Sequence, residues 1–250
     1  MQFESVAESL TLDEYTRERL QPHPRDFLYL HLKDLRQAVE TIRTDASLKI
    51  LDYGCGSSPY ISLFPNAEYR RADFLDTGNL DYRLGNDSRV PEVDAQFDLV
   101  LSTQVLEHVS EPQVFLAECF RLLRPGGKLF LTTHGLYEDH GCPYDFQRWT
   151  ADGLDLALAK AGFVDIKITK LTSGPRAILF FMGTHLEGFR GKKGTVARFL
   201  FRHYRKAFVR FRKLIHETAD AQFPQHMLVP REEPGHIIYI CLAAQAQRPA

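Results

Sequence analysis

The chain predicts an α/β fold, a mostly parallel sheet with helices on both faces, on the strength of three observations. The run Leu48 to Asp52 is apolar without alternation, the pattern of a strand buried on both sides, as in parallel sheets. Between such strands lie segments with apolar residues at three-to-four spacing, the period of amphipathic helices. The first strand also ends on a carboxylate and runs into two close glycines, Asp52-Tyr53-Gly54-Cys55-Gly56. That is a turn at which the backbone can approach a ligand where a Cβ would collide.

Taken in order, Arg25 to Arg43 carries Leu28, Leu32, Leu35, Val39 and Ile42 on one stripe and predicts a helix covering one edge of the ligand cleft. Ala67 to Asp73 predicts a second strand, the neighbourhood of Leu80 to Leu84 a short third, and Gln96 to Thr103 a fourth. Glu111-Pro112 opens a helix with proline in its first turn, and Pro125-Gly126-Gly127 ends it. Lys128 to Thr133 is the fifth strand. Thr150 caps a helix that carries Asp152 in its first turn and closes at Gly162, and Phe163 to Leu171 is the sixth strand. Ser173-Gly174-Pro175 starts a helix over Ala177 to Leu186, and the last strand, His236 to Ala244, follows a long excursion.

The glycine turn lacks the third glycine of a dinucleotide fingerprint, since Ser57-Ser58-Pro59 follows it. A carboxylate beside the turn also suits a cation better than a pyrophosphate, because two anions in a poorly solvated cleft repel. Asp73, roughly twenty residues on, stands where an acid accepts ribose hydroxyls, and Asn86-Asp87 stands where an adenine edge is met. Further landmarks are Phe97-Asp98-Leu99-Val100, Val105-Leu106-Glu107-His108-Val109 and Leu123-Arg124-Pro125-Gly126-Gly127. In this order, over roughly residues 48 to 134, they resemble the class I S-adenosylmethionine-dependent methyltransferases. The resemblance implies a Rossmann-like, mostly parallel seven-stranded sheet with an antiparallel edge strand, and S-adenosylmethionine as cofactor. Residue by residue, it implies that Asp52 and the backbone of Gly54 and Gly56 hold the amino-acid end, Asp73 the ribose, and Asn86 or Asp87 the adenine. Thr103 and Gln104 would line the sulfonium face. With serines and a proline for the third glycine, the passage from turn to helix is expected to be shorter or kinked.

The loop after the fifth strand, Thr133 to Thr150, holds more polar, titratable and aromatic residues than a connection needs. Its pattern His140-x-x-Pro143-x-Asp145-x-x-Arg148-x-Thr150 resembles a subgroup of these methyltransferases, some of which occur in pathways for surface sugars and other small metabolites. The catalytic candidates are His140 and His134, histidine titrating near neutral pH, with Asp145. Tyr137, Arg148, Trp149 and His108 are the acceptor-binding candidates. The alternatives are an Asp145–Arg148 ion pair that pins the loop, a hydrogen-bonded strand-end role for His134, and a Glu107-His108 helix start without acceptor contact. The expected reaction is O-methylation of a small or sugar-like acceptor, with a non-catalytic methyltransferase-like binding subunit as the rival.

Length and composition fit one domain over 1–250 with an N-terminal helical cap (1–46) and a helical insertion (174–233); 44% hydrophobic and 25% charged residues are ordinary values. Cys55, Cys119, Cys142 and Cys241 fall at no metal-ligand spacing, so no metal is expected and the thiols read as free in a reducing compartment. Neither a signal-peptide core nor a spanning run is visible, which predicts a cytoplasmic protein. Arg190 to Lys213 is unusual: ten Lys or Arg and no acid, while the whole chain carries a net charge of -1 and the remainder therefore -11. Val196, Phe199, Leu200, Tyr204, Phe208, Phe211 and Ile215 fall on one stripe within it. Such a helix over 190–215 could pack its stripe on the domain, lie on an anionic membrane or serve a lipid-linked acceptor, or meet a nucleic acid, the least expected of the three.

Overall fold

The computed structural model describes residues 12–250 apart from 76–77, 86–87, 142, 189–195 and 234–236. Two helices, α1 (Leu12–Leu20) and α2 (Tyr29–Glu40), precede a sheet of eight strands. β1 (Lys49–Tyr53) lies between β2 (Glu68–Asp73) and β4 (Phe97–Thr103), parallel to both. The two-residue β3 (Tyr82–Arg83) extends the sheet beyond β2. After α3 (Pro112–Leu122), β5 (Leu123–His134) pairs with β4. The chain continues through α4 (Ala151–Lys160), β6 (Val164–Ser173), α5 (Gly174–Gly188), α6 (Val196–Gln222), β7 (Leu228–Pro230) and β8 (Tyr239–Gln247). The sheet order is β3-β2-β1-β4-β5-β8-β6-β7.

Two details depart from the expectation. The antiparallel strand is internal rather than at the edge: β8 inserts between β5 and β6 and runs antiparallel to both, while a short unexpected eighth strand, β7, forms the border. Burial explains the placement. Ile240, Cys241, Leu242, Ala243 and Ala244 are all buried, and a strand apolar on both faces is stable only when neighbours cover its two edges and helices its two faces. β5 also begins at Leu123, earlier than expected, so Pro125-Gly126-Gly127 lies within the strand rather than at a helix end.

Strand periodicity assigns the two helical layers. Leu51, Val100, Leu129, Leu131 and Leu242 point to the face covered by α3 and α4, and meet Leu116, Leu122, Leu154 and Leu158. Their sequence neighbours Ile50, Leu99, Leu101, Phe130 and Cys241 point the other way, onto Leu32, Leu35, Ala38 and Val39 of α2. Thus α2 packs on a sheet face instead of an edge of the cleft. It is α1 that reaches the glycine turn, where Thr16 Oγ1 donates to Ser57 Oγ at 2.8 Å. The helix starts follow their local chemistry. Thr150 accepts from the Gly153 N–H at 3.0 Å at the start of α4, and Pro112 occupies the first turn of α3. The passage after β1 is shortened to a 3-10 turn, Ile61–Leu63, as the missing third glycine implies.

The expected stripe of α6 divides in two. Phe208 is buried against Gly183 of α5, where a Cβ would stand 2.9 Å from its ring, and Tyr204 and Ile215 are half-buried beside it. Val196, Phe199, Leu200 and Phe211 are exposed. Residues Arg190, Lys192 and Lys193 lie outside the described residues.

A buried ion network joins α2, α5 and α6. Arg176 has no solvent exposure and meets Asp34 through two hydrogen bonds, at 2.6 and 3.0 Å. It meets Asp220 at 3.0 Å, and Asp220 also receives Lys33 at 2.6 Å and the Tyr29 hydroxyl at 2.5 Å. Removing one partner of such a pair strands a desolvated charge, at a cost of about 3–5 kcal/mol. Arg176→Met should therefore lower the unfolding free energy in urea by about that much, and adding Asp34→Leu should recover most of the loss. A loss under about 1 kcal/mol for Arg176→Met alone would contradict the network's role.

Candidate active site

The strand order reverses at β1, between β2 and β4, and the crevice beyond the carboxyl ends of β1 and β4 is where open α/β sheets bind ligands. Asp52, near the end of β1, is buried and accepts a hydrogen bond from the Tyr69 hydroxyl at 2.7 Å. Burial outweighs that bond and pushes the carboxyl up to about 7. Gly54 follows with φ +79°, and a Cβ there would stand 2.4 Å from Val105 Cγ2. No side chain fits, so the turn is pressed against the segment leaving β4. Asp73 shapes the same turn from the end of β2, accepting the Gly56 N–H at 2.7 Å and the Leu75 N–H at 2.9 Å. The Ser58 hydroxyl is buried near Asp52 without hydrogen-bond geometry to any protein group.

These features fit a ligand with an ammonium and hydroxyl groups better than one with a pyrophosphate. Two carboxylates flank the turn, and among the described residues the space beside Gly56 is open, with the Tyr15 hydroxyl 4.0 Å from a built Cβ. Asn86 and Asp87, expected at an adenine edge, lie outside the described residues.

At the end of β4, Thr103 pairs in the ladder with Thr132, and Gln104 takes a left-handed φ of +57°. The Gln104 side chain turns inward, with Oε1 3.2 Å from His31 Nε2 and Nε2 3.4 Å from Cys241 Sγ. Beyond it sits a cluster of titratable groups. Glu107 is fully buried, accepts from Thr133 Oγ1 at 2.8 Å and stands 3.2 Å from His134 Nε2. Burial raises the Glu107 carboxyl to about 7 and holds His134 well below the ordinary histidine range, so the imidazole is neutral. His134 stacks on Tyr137 at 4.0 Å, and His140 meets both His108 and His134 edge-on at 4.9 Å. One donor atom each from Glu107, His134 and His140 lie within 4.8 Å of one another, a donor set of the kind that holds a transition metal. The cysteine spacing gave no hint of it.

The loop bearing His140 is tied down at both ends. Arg148 grips Asp145 with two bonds at 2.5 and 2.6 Å and donates to the carbonyls of Tyr137 and Glu138. Asp145 in turn accepts the His140 N–H at 2.8 Å. His108 Nδ1 donates to the Tyr144 carbonyl at 2.6 Å, the Phe146 N–H to that of Glu107 and the Trp149 N–H to that of His134. The ion-pair alternative for Asp145 and Arg148 is thus what the geometry displays: the pair fixes the loop over Glu107 and His108. His140 is the partly exposed member of the cluster, and His134 lies behind Tyr137.

The structure brings Asp52, Gly54, Gly56 and Asp73 to one turn, and His108, His134, Tyr137, His140, Asp145, Arg148 and Trp149 to one loop cluster. Sequence reasoning left three residues out of the site. Glu107 was legible in the Leu-Glu-His landmark. Tyr69 and His31 had no local signal, since one comes from the neighbouring strand and the other from a helix 73 residues before its partner Gln104.

Comparison with known proteins agrees with this geometry. Residues 51–131 match the family described as a methyltransferase domain. The ubiquinone biosynthesis O-methyltransferase of Chelativorans sp. (strain BNC1) is 32% identical over 101 residues, 34% of this chain and 40% of its own length. That of Maricaulis maris is 35% identical over 104 residues, 34% of this chain and 40% of its own. The chain therefore spans about two fifths of the length of these curated relatives. Among solved structures, an S-adenosylmethionine-dependent methyltransferase from Thermotoga maritima shares the fold with a TM-score of 0.53 at 16% identity, covering 95% of each chain. The cyclase SpnF shares it at 0.52 and 19% identity, over 89% of this chain and 83% of its own. Residues 51–131 thus carry a methyltransferase domain, and the chain has the fold of S-adenosylmethionine-dependent methyltransferases.

Proposed function

We propose that the protein transfers a methyl group from S-adenosylmethionine to an oxygen of a small or sugar-like acceptor. The observation that carries this reading is a juxtaposition: the acid-flanked glycine turn of β1 and the pinned His140 loop of β5 stand at carboxyl ends on the two sides of β4. The named O-methyltransferases among the relatives support oxygen as the methylated atom. Because a cyclase shares the fold, the fold alone does not fix the reaction.

When bound, the cofactor supplies an electrophilic methyl on a sulfonium. Asp52, as carboxylate, and the backbone of the turn at Gly54 and Gly56 hold its amino-acid end, and Asp73 its ribose. Asn86 or Asp87 takes the adenine, and Thr103 and Gln104 border the sulfonium. The acceptor lies against Tyr137, Trp149, His108 and Arg148, with its hydroxyl at His140. His140 takes the acceptor proton as the O–CH₃ bond forms and the S–CH₃ bond breaks, leaving S-adenosylhomocysteine. Asp145 and Arg148 keep the His140 backbone in place, and Glu107 and His134 form a rigid polar floor. In-line displacement gains most from such positioning and from exclusion of water. In this reading the protein works in the cytoplasm, peripherally at an anionic membrane; among the described residues no helix is long and apolar enough to cross one.

The cofactor assignment is tested by calorimetric titration: S-adenosylhomocysteine should bind and NAD should not. Since the Asp52 carboxyl sits at about 7 without ligand and an ammonium requires its charged form, binding should expel a proton below about pH 7. Affinity should then fall by up to about tenfold per pH unit below that point and level off above it. A flat affinity between pH 5.5 and 8, or binding of NAD alone, would contradict the assignment. His140→Ala should lower kcat by about 10²–10⁴-fold and leave S-adenosylhomocysteine affinity unchanged, measured with an acceptor found by transfer of labelled methyl groups. An unchanged kcat would remove His140 as base, and tight cofactor binding without transfer to any hydroxyl acceptor would favour a binding subunit.

A further inference from the structure

The surface of α6 carries more apolar side chain than its packing uses. With 3.6 residues per turn, Phe201, Tyr204, Phe208, Ile215 and Ala219 fall on the side facing α5 and α2, where Phe208 and Ala219 are fully covered. Two apolar groups, Val196, Phe199 and Leu200 near the helix start and Phe211 and Leu214 three turns on, form a ribbon beside it that His203 and Ala207 interrupt, and each of these five side chains is more than half exposed, with Val196 at 75% and Leu214 at 61%. Single exposed apolar residues are ordinary on protein surfaces, but five on one side of a 27-residue helix are not. Along its other border stand Arg202, Lys206 and Arg210, one turn apart, with Arg205 adjacent.

We propose that this ribbon enters the interfacial zone of an anionic bilayer while the arginines and the lysine meet the lipid headgroups. An apolar ribbon flanked by cations, on a helix otherwise rich in charge, is the composition of a helix that lies in the membrane plane. The basic border selects the occupant. A second copy of the chain would bring like charges together, whereas anionic headgroups complement them. The helix is also mechanically close to the acceptor loop. It packs on α5 through Phe208 at Gly183, and Phe180 of α5 touches the rings of Tyr137 and His31 at 6.0 and 5.9 Å. On the functional reading above, this connection to the acceptor loop gives the enzyme an amphiphilic, membrane-held acceptor.

The test is flotation of the full chain with vesicles of phosphatidylcholine alone or with about 30% phosphatidylglycerol, a content that gives a strongly anionic surface. The parent should float with the anionic vesicles at low salt, less at about 0.5 M salt, and not with neutral ones. Leu200→Asp with Leu214→Asp, both at exposed positions, should abolish flotation without moving the thermal unfolding midpoint. Changing Arg202, Arg205, Lys206 and Arg210 to glutamine should lower the partition coefficient at least about tenfold, each cation near such a surface being worth roughly fivefold. A parent that stays unbound at low salt overturns the proposal. So does a ribbon variant that floats like the parent, or retention by a nucleic acid or a concentration-dependent dimer in place of flotation. None of these readouts depends on methyl transfer, so the functional reading stands or falls separately.

Discussion

At the carboxyl end of β1 there is room for backbone and none for a side chain. Gly54 must adopt a left-handed conformation against Val105, and this contact fixes the separation of the turn after β1 from the segment after β4. Asp52 is thereby buried behind the turn, Asp73 is brought within reach of the Gly56 N–H, and the segment through Gln104 to Glu107 is carried under the acceptor loop. The price is electrostatic, because Asp52 and Glu107 are both desolvated and both pushed toward neutrality in the ligand-free protein. A cationic ligand end offsets that penalty at Asp52, which couples occupancy of the cleft to the charge of its floor.

The elements with a local cause were legible in the sequence. Thr150 and Gly162 bracket α4 because a hydroxyl cap and a left-handed glycine act within one turn of the chain. The glycine turn with Asp52 was legible for the same reason, as was the ion pair of Asp145 with Arg148, three residues apart on one loop. What could not be read depends on partners far along the chain. The insertion of β8 between β5 and β6 follows from pairing across the whole insertion. The division of the α6 stripe follows from where Phe208 meets Gly183. The tether of Tyr69 to Asp52 spans neighbouring strands, and the convergence of Glu107 with His134 and His140 joins two loops.

The helical additions α5 and α6 are bound to α2 by charge as well as by apolar contact. Arg176, Asp34 and Asp220 meet where α2, α5 and α6 converge, and Tyr29 and Lys33 complete the ring around Asp220. The same α2 places His31 against Gln104 beside the cleft. Helix placement and cleft geometry are therefore linked through one short segment, Tyr29 to Asp34.

A crystal structure with S-adenosylhomocysteine tests the central claim most directly. The amino-acid end of the ligand is expected at Asp52, Gly54 and Gly56, with the ribose at Asp73 and the sulfur facing the cluster of Glu107, His134 and His140. A ligand seated elsewhere, or one in the cleft whose sulfur points away from that cluster, would contradict it.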